Sequence, residues 1–369
     1  MTMLDKPQKL PLREAAWYRK GRGTDVLCGL CPHECHLKDG EVGRCLVREN
    51  RKGTLYTRNY GQIALKAFPV NRPQYPLTLA GFGGAVWITA HQVGCPMRCS
   101  FCAAGELVQP DPAHIDIGWM TPEETVAVAL SVDALALTFT ANEPTTTFEF
   151  LLDTAKLARA ANVGVLVSTS GFVNAGPLEE LAPWIDGITV GIKAFNEEAY
   201  RKYTTGDLAS ALRSAKVLHD LNVPLEIHYL LIPTVSDSDQ QILELSRWIR
   251  DELGPETPLA FMRFVPRFKL KNLPPTPLST VERAMQLARG EGLLGPYAFL
   301  DSLEQVVGHS ALLREVRCPY CGKVVASTEL VDGVPRRTHH LDGGRCTLCG
   351  RTLPGLAAAL DRVYRARNP

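Results

Sequence analysis

Hydrophobic positions along this chain fall into two alternating textures. Short, nearly unbroken apolar runs rich in β-branched residues stand at 85–89 (AVWIT), 134–140 (ALALTFT), 163–170 (VGVLVSTS), 187–193 (GITVGIK), 225–233 (LEIHYLLIP) and 259–266 (LAFMRFVP). Each predicts a buried strand. Between them lie segments with apolar residues at helical spacing: TFEFLLDTAKLARAAN, DLASALRSAKVLHDLN, SDQQILELSRWIRDEL and STVERAMQLARGEG. One helix start is written out in full. In MTPEETVAVAL, Thr121 takes the N-cap, Pro122 the first helical position, and Glu124 stands three residues after the cap. Six strands alternating with helices predict an α/β fold with a parallel sheet. We read it as a partial (β/α)6 TIM-like barrel over residues 76–305, although the pattern alone also allows a doubly wound sheet. Residues 1–75 form an N-terminal cysteine-rich metal-binding segment, and 306–369 a C-terminal zinc-ribbon-like segment.

Composition narrows the function classes. The chain has 369 residues, 45% hydrophobic and 21% charged, with a formal net charge of +1. That is an ordinary globular composition without the basic excess of a general nucleic-acid binder. The densest basic stretch, RFVPRFKLKN at 263–272, reads equally as a solvated loop or the rim of an anionic-ligand site. The longest apolar run, LTLAGFGGAVWITA at 77–90, is too short and too glycine-rich to span a bilayer. The N-terminus is charged and lacks the apolar region of a signal peptide. The expectation is a cytoplasmic protein with no membrane or nucleic-acid partner, whose thiols stay reduced and serve as ligands or catalysts.

The eleven cysteines partition four, three and four. Cys318, Cys321, Cys346 and Cys349 make two C-x2-C-G knuckles separated by 24 residues. Two such knuckles suit one tetrahedral ion, and the glycine after each pair permits its turn. Structural zinc is the expectation, with a rubredoxin-like iron as the alternative. Cys28, Cys31, Cys35 and Cys45 run C-x2-C-x3-C-x9-C, which suits either zinc or a [4Fe–4S] cluster. His33 and His36 inside that run read as surface loop residues. Cys95, Cys99 and Cys102 stop at three. Either His91 completes a zinc site, or the three thiolates hold a cubane with one iron left open for a substrate or cofactor.

In such barrels chemistry collects at the C-terminal ends of the strands. The three-cysteine loop follows the first run. Glu143, beside Asn142 and Pro144, ends the second and suits an ammonium group. Ser168, Thr169 and Ser170 end the third and suit a ribose. Lys193 ends the fourth and suits a carboxylate, and Arg263 lies on the sixth. Together they describe a site for a zwitterionic amino acid joined to a nucleoside, beside an iron with an open position.

These residues resemble the radical SAM superfamily, whose C-x3-C-x2-C loop is similar to CPMRCSFC, including the aromatic Phe101. The order CGLCPHECHLKDGEVGRCLVREN, NYG, the cysteine loop, NEPT, LEIHYLLIPTVSDSD, RFVPRFKLKNLPPTP and the terminal knuckles looks like the AmmeMemoRadiSam-system proteins, relatives of pyruvate formate-lyase activating enzymes. The resemblance implies that Cys95, Cys99 and Cys102 bind a [4Fe–4S] cluster whose fourth iron takes S-adenosylmethionine. It implies that Asn142, Glu143, Pro144 and Thr145 meet the amino end of that cosubstrate. Ser168, Thr169 and Lys193 would flank its ribose and carboxylate, and Phe101 its adenine. A 5′-deoxyadenosyl radical would then abstract hydrogen from a small-molecule substrate facing Arg263. A one-electron donor such as flavodoxin or ferredoxin is implied. The sequence departs from the family's usual GCN, FCQN and DLK with Cys95-Pro96, Cys102-Ala103-Ala104 and Gly191-Ile192-Lys193. Those changes leave the cluster ligands intact and bear on the substrate. Two other readings share parts of this pattern: a glycyl-radical activase acting on a partner protein, and a non-catalytic multi-zinc scaffold.

Overall fold

The structure is a computed structural model that describes residues 11–69, 81–82, 85–300, 311–331 and 334–367. The expected boundaries at 75/76 and 305/306 fall outside the described residues.

Eight strands form the central sheet. β1 (Ile63–Pro69) is followed by β2 (Val86–Gln92), β3 (Ala134–Thr140), β4 (Gly164–Thr169), β5 (Gly187–Ile192), β6 (Leu225–Leu231), β7 (Leu259–Arg263) and β8 (Pro296–Phe299). They lie side by side in sequence order. β2 to β8 are parallel, and β1 pairs antiparallel on the β2 edge, with Ile63 opposite Gln92. The order never reverses, so the sheet has none of the switch points of a doubly wound fold. The expected six strands are all present. The seventh parallel strand, β8, and the antiparallel β1 are additions. β1 comes from the segment read as N-terminal, so that segment contributes a strand to the core sheet.

The five longer crossover helices are α1 (Pro122–Ser131), α2 (Phe148–Ala160), α3 (Leu208–Asp220), α4 (Asp239–Glu252) and α5 (Leu278–Gly290), and a short helix at Ala175–Leu181 lies between β4 and β5. α1 begins as its sequence dictates. The Glu124 amide donates to Thr121 Oγ1 at 3.1 Å, and the Thr121 amide donates back to Glu124 Oε2 at 2.7 Å. Such a cap contributes about 1 kcal/mol. All five helices pack on one sheet face, where Ile88, Leu137, Val165, Ile188, Ile227 and Phe261 join Val126, Leu151, Ala215, Leu245 and Met285 in one core.

The opposite face is covered near the strand starts by the C-terminal part of the chain. Helix α6 (Leu356–Arg367) sets Leu356, Ala359 and Leu360 against Trp87, Ala136 and Leu166. The four-cysteine segment sets Val316, Val325 and Leu353 against Ala260 and Tyr297. Glu226, buried on that face, accepts from the Leu356 amide and from Tyr297 Oη, each at 2.8 Å, and so holds the start of α6 inside the sheet. The strand ends are left for the site. No described helix is long and apolar enough to cross a membrane.

Residues 13–57 form two small antiparallel sheets docked on α2 and on the cysteine loop. Their anchor is a buried ion pair: Arg48 Nη2 donates to Glu149 Oε1 at 2.6 Å, and both side chains are almost wholly excluded from solvent.

Candidate active site and metal centres

A cavity of about 1080 Å³ opens at the C-terminal ends of the parallel strands. The loop after β2 brings Cys95, Cys99 and Cys102 to its wall. Gly94 sets that loop's path. Its φ is +86°, and a Cβ there would lie 2.2 Å from Val47 Cγ1, so only glycine fits. The loop is pinned from behind: Arg98 donates to the carbonyls of Cys95 and Arg44, and the amides of Arg98 and Ser100 donate to Thr204 and Tyr203. Burial pushes all three thiols upward, Cys99 to about 12, and the neighbouring Lys193 ammonium opposes the shift at Cys99 and Cys102.

β3 is followed by Ala141, whose φ of +78° turns the chain so that Asn142 and Glu143 face the cavity. Glu143 accepts four hydrogen bonds: from Thr145 Oγ1 at 3.0 Å, Thr169 Oγ1 at 2.6 Å, the Ser170 amide at 2.8 Å and Ser170 Oγ at 2.5 Å. The Thr169 and Ser170 hydroxyls, expected at a ribose, are therefore turned onto Glu143. They join the end of β4 to the end of β3. Ser168 and Lys193 line the cavity as expected. Pro144 and Thr145 are buried behind Glu143. Asn142 Nδ2 donates to the Gly94 carbonyl at 3.2 Å, while its buried Oδ1 has no partner among the described residues. Gly191, one of the sequence departures, leaves room for Lys193: a Cβ there would meet Lys193 Nζ at 2.4 Å.

Phe101 reaches the cavity wall from an apolar cluster with Ile232, Val235 and Phe264. Arg263 also lines the cavity and is oriented by Nε donating to the Thr276 carbonyl at 2.7 Å. The basic stretch after β7 folds over the cysteine loop. The Lys269 amide donates to the Ser100 carbonyl at 3.1 Å, and the Phe268 ring lies where a side chain on Gly105 would stand. That stretch is a wall of the site. Arg267, in the stretch read as either a solvated loop or a ligand rim, lines the cavity, and so do Phe268 and Lys66, which the sequence did not single out. Lys66 had no signal because it sits on the unexpected strand β1.

The three cysteine groups differ in spacing. Cys318, Cys321, Cys346 and Cys349 present four sulfurs all within 4.8 Å of one another, with Cys318 and Cys349 3.7 Å apart. Gly322 and Gly350 have φ of +71° and +77°, and their amides close each knuckle onto the carbonyls of Cys318 and Cys346. Among the described residues, this is the one group of three or more metal-ligating side chains gathered so tightly. Among the described residues, Cys95, Cys99 and Cys102, with or without His91, form no set as compact as the terminal four. Cys28, Cys31, Cys35 and Cys45 share the lining of a second, small hollow. His36 is a surface residue paired with Asp25, as expected. His33 is not: it is half-buried, with Nε2 2.9 Å from the Pro96 carbonyl and its ring edge-on to Phe172.

Comparison with known proteins places this geometry. The Radical SAM superfamily profile matches residues 89–246, the stretch that carries the cysteine loop and β2 to β6. The uncharacterized protein MJ0808 of Methanocaldococcus jannaschii is 33% identical over 349 residues, 93% of this chain and 99% of its own. The pyruvate formate-lyase-activating enzyme of Clostridium pasteurianum is 26% identical over 165 residues, 43% of this chain and 67% of its own. Among solved structures, a radical SAM methyltransferase from Sphaerobacter thermophilus aligns with a TM-score of 0.49 at 19% identity, over 65% of this chain and 70% of its own. The chain belongs to the radical SAM superfamily.

Proposed function

We propose that this protein is a radical SAM enzyme acting on a small substrate, with Cys95, Cys99 and Cys102 as ligands of a [4Fe–4S] cluster and Arg263 facing the substrate. One observation carries the reading. Three thiols that form no compact single-ion set line the same cavity as Asn142, Ser168 and Lys193. That donor set fits a cluster with an open iron, and the unpartnered Asn142 Oδ1 fits an ammonium. When bound, cluster and S-adenosylmethionine supply one-electron cleavage to methionine and a 5′-deoxyadenosyl radical.

This chain's residues bind and orient. Lys193 stands where a carboxylate would be met, Ser168 offers a hydroxyl to the ribose, and Phe101 gives the adenine an apolar surface. Glu143, with Thr145 and Pro144 behind it, fixes the end of β3 beside the end of β4. At about 1080 Å³ the cavity matches the upper range of small-molecule sites, of order 1,000 Å³, and leaves room beside the cosubstrate. Its sheet is read as a partial barrel whose open mouth is the site.

The terminal knuckles suit one zinc ion. Four thiolates about 2.3 Å from a tetrahedral zinc stand about 3.8 Å apart, close to the Cys318–Cys349 separation of 3.7 Å. The zinc ribbon so formed staples the segment that closes the far end of the sheet. The protein works in the cytoplasm, with a flavodoxin- or ferredoxin-class electron donor.

A second reading, activation of a partner protein by glycyl-radical formation, is favoured by the likeness to pyruvate formate-lyase-activating enzymes. Both readings share one test. Reduced, cluster-loaded protein is examined by electron paramagnetic resonance with and without S-adenosylmethionine. The expected result is a changed cluster signal that is absent from Cys99→Ala. An unchanged signal in the wild type overturns the proposal.

A further inference from the structure

We propose that Cys28, Cys31, Cys35 and Cys45 hold a second [4Fe–4S] cluster, seated directly behind the Cys95 loop. The spacing in the sequence suits zinc or a cluster equally; the folded spacing does not. A single ion draws its thiolates onto the edges of one small tetrahedron, as the terminal cysteines show, with all four sulfurs within 4.8 Å. A cubane places a different iron behind each thiolate, so its ligands surround a larger body and stand farther apart. The N-terminal sulfurs line one hollow yet form no such compact set, and in this they match the three cysteines of the radical SAM loop. They are not scattered. Cys35 Sγ and Cys45 Sγ lie 3.7 and 3.8 Å from the point where a Cβ on Gly43 would stand, which holds them within two such lengths of each other.

The rest of the hollow fits a buried anionic cluster. Cys28, Cys31 and Cys45 are buried, and Cys35 is partly exposed. Arg48 lines the hollow with a guanidinium that is 1% exposed. Two of its nitrogens are taken, by Glu149 and by the Ala16 carbonyl, while its Nε has no partner among the described residues. A buried donor left over beside four thiolates is the feature expected of a site that receives sulfur acceptors. The histidines do not complete an alternative ligand set: Nε2 of His33 is engaged by the Pro96 carbonyl and Nε2 of His36 by Asp25.

The location is specific. Gly94, next to Cys95, packs on the Cys45 carbonyl and on Val47, and Arg98 donates to the Arg44 carbonyl at 2.7 Å. Thr146, three residues after Glu143, lines the N-terminal hollow, and its hydroxyl lies 2.7 Å from the Glu143 carbonyl. The two cysteine groups thus share one wall. The assignment does not depend on the reading of the larger cavity.

The test counts metals. The triple variant Cys95→Ala/Cys99→Ala/Cys102→Ala is purified anaerobically and supplied with iron, sulfide and zinc together. The expected result is about four iron and four acid-labile sulfide per chain, with about one zinc. About two zinc with no sulfide, or an N-terminal site left empty, overturns the proposal. Should the triple variant not fold, the same count is made on wild-type protein: about eight iron and one zinc support the assignment, and about four iron and two zinc refute it.

Discussion

Replacing Glu143 by alanine removes the acceptor of four hydrogen bonds in one step. The donors are Thr145 Oγ1, Thr169 Oγ1, and the amide and hydroxyl of Ser170. The carboxylate is 1% exposed, so water does not replace it freely. The three hydroxyls can rotate toward other acceptors, but the Ser170 amide cannot. Hydrogen bonds to a charged group contribute about 1.5–3 kcal/mol each, and an orphaned buried donor costs about 1–3 kcal/mol. With one donor stranded and three partly re-satisfied, Glu143→Ala should destabilise the fold by about 3–5 kcal/mol. Glu143→Gln keeps an oxygen for the Ser170 amide and turns its NH2 toward two hydroxyl oxygens, so its cost should be about 1 kcal/mol. Urea unfolding of the metal-free proteins under anaerobic conditions reads both. Alanine costing less than glutamine, or both variants matching the wild type, would refute this role of Glu143.

Other perturbations have equally definite outcomes. Arg48→Met strands the buried Glu149 carboxylate and should cost about 3–5 kcal/mol in the same unfolding assay, most of it recovered by Arg48→Met/Glu149→Leu; an unaffected single variant would contradict the pairing. Gly94→Ala forces a positive φ on a β-carbon, about 1–2 kcal/mol, and a clash with Val47, so iron retention by the cysteine loop should fall while terminal zinc stays constant. For pH, burial raises the Cys45 thiol to about 11 and Cys99 to about 12 from the ordinary 9.0. In metal-free protein the folded state then holds these protons more tightly than the unfolded state. The stability present below pH 9 is lost as pH rises toward 11–12, so the urea midpoint should fall across that range. A rising midpoint would contradict tighter proton binding in the folded state.

The parts of this protein legible in its sequence are those fixed by local chemistry. The Thr121 capping box, the six long parallel strands and the knuckle glycines Gly322 and Gly350 each depend on neighbours a few residues away. β8 escaped notice because it is four residues long and begins with proline. β1 escaped because an antiparallel edge strand falls outside the repeating strand–helix pattern. The cysteine groups were countable, but their spacing in space was not. The roles of Thr169 and Ser170 were also hidden. Both line the cavity, and their hydrogen bonds to Glu143 span 26 and 27 residues, beyond any local signal. His33 followed the same logic, its partner being the carbonyl of Pro96, 63 residues away.

Radical chemistry at Cys95, Cys99 and Cys102 underlies the proposed function. It is tested most directly by incubating anaerobically reconstituted protein with S-adenosylmethionine and a strong one-electron reductant, then measuring 5′-deoxyadenosine by chromatography. The wild type should give product and Cys99→Ala none. Wild-type protein that carries its full complement of iron and sulfide and releases no 5′-deoxyadenosine would contradict it.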